Sequence, residues 1–115
     1  MINGSKSEIH MWYSANLIYK GINEDGLTDL CEERIVLFHA LCEKDVYAKA
    51  KSFGLDSEHS YEVESGGTLQ WKFDTIERVY EIDDSEIHDG SEIFSRFLTK
   101  EDVDILKKHI KKHIE

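Results

Sequence analysis

The chain contains no proline and only two cysteines, Cys31 and Cys42, and its 14 lysines and arginines are outnumbered by 24 aspartates and glutamates. Two cysteines cannot build a disulfide framework, so a cystine-stapled miniature fold is excluded and free thiols are expected. The shortage of cations leaves a formal net charge of −10. That balance argues against nucleic acid and against a membrane surface as partners, because both recruit basic groups that displace counterions. No apolar run approaches the roughly 20 residues of a membrane span. The opening segment, MINGSKSEIH, lacks the apolar stretch of a secretory leader, and a cytoplasmic location is the expectation.

What is present suits one globular domain. A chain of 115 residues with 40% hydrophobic residues, including five Phe, five Tyr and two Trp, can bury a single core without staples or metal. Residues 1–10 are polar and aperiodic, which predicts a flexible N-terminal extension, with residues 11–115 forming the domain.

Periodicity assigns the elements. Over residues 11–22, Tyr13, Ala15, Leu17 and Tyr19 share one face of a strand and Trp12, Ser14, Asn16, Ile18 and Lys20 the other. Residues 23–29 read as a loop around Gly26. Residues 34–42 (RIVLFHALC) are apolar on both faces, which predicts a central strand. Residues 43–53 switch to helical spacing, with Val46, Ala50 and Phe53 on one side and Gly54 placed as a left-handed cap. Gly66-Gly67 between residues 61–64 and Thr68 signals a hairpin. The following strand changes phase: Leu69, Trp71 and Phe73 are apolar at odd positions, Ile76, Tyr80 and Ile82 at even ones, which predicts a β-bulge or a bend near Asp74-Thr75. Residues 92–98 (EIFSRFL) read as a further short strand. Thr99 then opens a helix with Asp102 in capping-box spacing and Val103, Leu106, Ile110 and Ile114 as its stripe. The order β-β-α-β-β-β-α predicts an α+β fold: a mostly antiparallel sheet of four or five strands with helices packed on it.

The opening Trp12-Tyr13-Ser14-Ala15, the alanine-bearing helix (Ala40, Ala48, Ala50, Gly54), Gly67 with Trp71, and the late Gly90-Ser91-Glu92-Ile93-Phe94-Ser95-Arg96 stretch together resemble a family of small bacterial proteins known as a domain of unknown function. The resemblance covers about residues 11–98. It implies a bacterial cytoplasmic domain and carries over no activity and no site residues.

No cofactor motif and no catalytic constellation stands out. His109 and His113 are four apart on a helix but lack the further ligands that zinc needs, and cations near a helix C-terminus explain them. His39 and Cys42 point to opposite faces of a strand. The acidic run Asp83-Asp84-Ser85-Glu86-Ile87-His88-Asp89-Gly90 fails the calcium-loop spacing, since its glycine arrives one position late. Cys42, between a strand and a helix, has either helix-terminal activation or the role of a small buried hydrophobe, the second being the commoner. Gly66-Gly67 has no phosphate-loop context.

Charge and aromatics remain. Residues 77–92 hold seven carboxylates against Arg78 alone, whereas the four lysines and one glutamate of residues 107–115 leave that stretch at +3. Such polarisation has no folding advantage and attracts a basic protein. The expected function is therefore a non-enzymatic protein-interaction module, concretely an immunity-type inhibitor of a basic toxin. Asp83, Asp84, Glu86, Asp89 and the strand residue Trp12 are its partner-binding candidates. The alternative is a small-molecule-binding or enzymatic domain with a pocket between sheet and helix walled by Trp12, Tyr13 or Trp71. An uncovered sheet face would serve for binding or for a homodimer.

Overall fold

The structure, a computed structural model, describes residues 9–26, 28–64 and 66–110. The alternating segment forms β1, Met11–Ile22, and β2, Cys31–Ala40, pairs antiparallel with it, from Met11 opposite Ala40 to Lys20 opposite Cys31. Helix α1, Glu43–Asp56, follows, then β3, His59–Glu62, and β4, Thr68–Glu81. Helix α2, Lys100–Lys107, ends the described chain's regular structure. The sheet runs β2-β1-β4-β3 with every pairing antiparallel. The architecture is α+β, with four strands and two helices.

One face of β1 makes the core. Tyr13, Ala15, Leu17 and Tyr19 are buried against Val46 and Ala50 of α1, with Ala40 and Trp71 completing the cluster. Each large aliphatic side chain so enclosed contributes on the order of 1.5–3 kcal/mol. The turn between β3 and β4 places both Gly66 and Gly67 at φ 90°, which only glycine adopts without strain. Val63 N donates to Gly67 O at 3.1 Å and Gly66 N to Val63 O at 2.9 Å. At the other end, Thr99 and Asp102 close the expected capping box on α2: the threonine side chain accepts from Asp102 N, and the aspartate accepts from Thr99 N.

Four expectations are corrected and one is extended. The strand read as central, β2, is an edge strand; β1 and β4 occupy the middle. Its second set of apolar residues, Ile35 and Leu37, is 44% and 38% exposed, so double-sided apolarity here marks a half-covered face. Gly54 does not cap α1. It lies inside the helix, buried against the ring of Phe73, where its missing Cβ permits the close approach. The bulge expected in β4 falls at Asp74, and a second lies at Glu77. Pairing with β1 skips Asp74 and then Glu77, so the core side passes from Phe73 to Ile76 and on to Val79. Residues 92–98 form no strand; they cross the second sheet face as an irregular strap. Only α1 packs on the sheet: no Cα of α2 comes within 8 Å of a Cα in any strand or in α1. The expected N-terminal extension, apart from Ile9 and His10, lies outside the described residues, as do His113 and Ile114. Among the described residues no helix is long and apolar enough to cross a membrane.

Candidate functional site

The second face of β1 carries Ser14 and Asn16, polar residues that are nonetheless fully enclosed. What encloses them is the chain leaving β4. Ile82 is completely buried and its N–H donates to Trp12 O at 2.9 Å, which pins the start of residues 82–98 beside the first strand. Further on, Ser14 Oγ donates to Ile93 O and the Tyr80 hydroxyl donates to the Glu92 carboxylate. Phe94 meets Tyr80 edge-on at 5.8 Å, and the guanidinium carbons of Arg78 and Arg96 lie 5.5 and 5.9 Å from its ring centre. Cations over an aromatic face hold the ring and spread positive charge across it.

Between these two anchors residues 83–91 form a loop tied to itself. Ser91 Oγ donates to Asp84 Oδ2 at 2.9 Å and accepts from His88 N at 2.9 Å. Ser91 N donates to His88 O at 3.0 Å, and His88 Nε2 lies 3.2 Å from Asp84 Oδ2. Asp84 is thus the internal tie. Asp83, Glu86 and Asp89 instead present exposed carboxylates with no hydrogen bond or ion pair to their side chains among the described residues. With Tyr80, Gly90 and Glu92, the aspartates 83 and 84 line an open cleft of about 290 Å³. The hydrogen bond to Glu92 holds the Tyr80 phenol protonated above its usual range.

The structure therefore gathers Asp83, Asp84, Glu86 and Asp89 on one loop and sets Trp12 at its foot. The indole itself does not reach over the loop. It stacks on His39 of the neighbouring strand, ring centres 4.4 Å apart and 16° from parallel, with His10 a further 5.3 Å from His39.

Of the three aromatic residues offered as pocket walls, Trp12 and Tyr13 are neighbours in β1 and face opposite ways. Tyr13 is sealed in the core; its phenol is pushed up by burial, with Glu81 adding to the effect. Trp71 is 8% exposed and borders an open cleft of about 170 Å³ with Glu58, His59 and Gln70. Cys42 is exposed at the N-cap of α1, where its carbonyl accepts from Asp45 and Val46, so the expected buried role is corrected. Cys31 is exposed as well. Among the described residues no group of three or more His, Cys, Asp or Glu side chains is arranged to hold a metal.

Sequence reasoning missed the strap's clamp of Tyr80, Phe94, Arg78 and Arg96. A signal existed: Ser14 and Asn16 sit between Trp12 and Ile18 on one strand face, and polar groups at such positions require partners from another segment. No curated protein and no solved structure matches the chain. A family model described as a domain of unknown function, DUF4288, matches residues 12–95. Those bounds run from the tryptophan that anchors the acidic loop to the strap residue just past Phe94, and the chain belongs to the DUF4288 family.

Proposed function

We propose that this domain is a non-enzymatic interaction module that offers a preformed acidic surface to a basic protein, in the manner of an immunity-type inhibitor facing a nucleic-acid-cleaving toxin. The observation that carries this reading is the loop of residues 83–91. Its backbone is fixed by Ser91, His88 and Asp84, while Asp83, Glu86 and Asp89 stay unengaged at its surface. A loop ordered in advance avoids the entropy cost of immobilisation on binding. Carboxylates concentrated on it steer a cationic partner and raise the encounter rate. A toxin that grips nucleic acid is basic where it binds substrate, and the net charge of −10 favours that face.

The test begins with capture and identification of a partner by the full chain, followed by stopped-flow association. Reversal of Asp83, Glu86 and Asp89 to Lys is expected to slow association about tenfold or more, as is raising the salt from low to physiological strength. A bound partner that is basic and competes with its own nucleic acid supports the immunity-type reading. An association rate indifferent to both charge reversal and salt overturns it, as does tight binding of the domain to duplex DNA.

A further inference from the structure

Helix α2 has everything a docked helix has except something to dock on. Its capping box is complete, yet it spans only eight residues, and among the described residues no Cα of it comes within 8 Å of a Cα in any strand or in α1. Isolated helices shorter than about 12–15 residues are marginal in water, and most helical stability in proteins comes from packing an apolar face. The apolar side chains of this arm are turned to solvent instead. Phe97 is fully exposed, and Leu98, Ile105, Leu106 and Ile110 are between 39% and 61% exposed. The arm also lies beyond residues 12–95, the stretch that matches the family.

We propose that residues 97–110 form a self-association arm, in which the α2 helices of two copies of this chain pack antiparallel. Charge selects the partner. After its first residue, Lys100, the helix is acidic through Glu101, Asp102 and Asp104 and basic at its end, with Lys107 and Lys108. A uniformly basic or uniformly acidic partner would suit half of that gradient and clash with the other half. A second copy running the opposite way sets Glu101, Asp102 and Asp104 of each helix toward Lys107 and Lys108 of the other, and its macrodipole is opposed in the favourable sense. The contact is also self-complementary under a twofold axis, so it closes at two chains. Five exposed apolar side chains on one short arm fall short of the roughly 800 Å² per partner of a standard interface, which sets the expected affinity in the micromolar range. The proposal is independent of the acidic loop, which lies on residues 83–91.

Sedimentation analysis of the full chain from about 1 μM to 1 mM tests it, with the concentrations chosen to bracket that affinity. The average mass is expected to rise from one chain to two. Leu106→Asp is expected to hold the protein at one chain throughout without moving its thermal midpoint, because Leu106 lies outside the core. Glu101→Lys/Asp104→Lys and Lys107→Glu/Lys108→Glu should each remain single chains alone and form a heterodimer when mixed. A wild-type chain that stays single at 1 mM overturns the proposal. So does association that survives Leu106→Asp but is lost on Ile35→Asp/Leu37→Asp, which would assign the contact to the sheet face. Failure of the two charge-reversed variants to pair on mixing overturns the antiparallel arrangement.

Discussion

Gly54 lies so close to the ring of Phe73 that a Cβ there would sit 2.5 Å from Cδ1 and 2.7 Å from Cε1. The helix and strand β4 meet at this point, and the ring also packs edge-on against Tyr19 at 5.8 Å. Two effects oppose each other in Gly54→Ala. Helix propensity gains about 1 kcal/mol, whereas overpacking typically costs 1–3 kcal/mol. The ring is held by Tyr19 and cannot retreat freely, so overpacking wins. Gly54→Ala is expected to lower the denaturant midpoint, and Gly54→Ala/Phe73→Leu to recover part of the loss. A stabilised single mutant would show that the ring yields.

Asn16 and Glu33 make a second test. The amide is enclosed, its Nδ2 donates to Glu33 Oε2 at 3.0 Å, and its Oδ1 is buried without a partner among the described residues. Glu33→Ala strips the remaining bond and should cost about 1–3 kcal/mol, the usual penalty for a buried polar group left unpaired. In an Asn16→Ala background the same change should cost close to nothing. A double-mutant cycle from urea titrations reads the difference, and equal costs in both backgrounds would dissolve the coupling.

Alkaline pH should loosen the strap. The hydrogen bond to Glu92 raises the Tyr80 phenol above the ordinary value of 10.0. A folded-state pKa above the unfolded one contributes stability that is complete below the unfolded value and is lost as pH rises through the folded value. Ultraviolet titration should therefore show late ionisation steps, above the ordinary value, for Tyr80 and for the buried Tyr13. Tyr80→Phe should remove one of these late steps and speed amide exchange in residues 91–96 while leaving that of β1 unchanged. Unaltered exchange across the strap would mean Phe94 and Ser14 hold it alone.

The elements that announced themselves were those whose signal is local. The alternation from Tyr13 to Tyr19, the Gly66-Gly67 turn and the Thr99/Asp102 box each need only neighbours in sequence to work, and each is where the pattern put it. The failures all depend on what packs from far away. Gly54 reads as a cap because glycine usually ends helices; the reason for it here is Phe73, nineteen residues on. Residues 92–98 have strand composition, but Ser14, 79 residues away from Ile93, takes the carbonyl that a ladder would have used. Of the candidate site, the acidic residues were visible as composition, while the ties through Ser91 and His88 that make them a fixed surface were not.

The two bulges of β4 separate curvature from inside-outside order. Asp74 and Glu77 are the residues that β1 does not pair, so removing both leaves Phe73, Thr75, Ile76, Arg78 and Val79 alternating without interruption. They are spare letters in the ladder. Their effect is on length: β4 spends eleven residues, Trp71 to Glu81, along the nine from Gly21 to Tyr13, and the longer strand must bow around the shorter. Excision of both would leave every core side chain on its own side but reduce the bow of the sheet on which α1 packs. In this domain a deletion can thus rewrite the shape of the sheet while keeping its grammar.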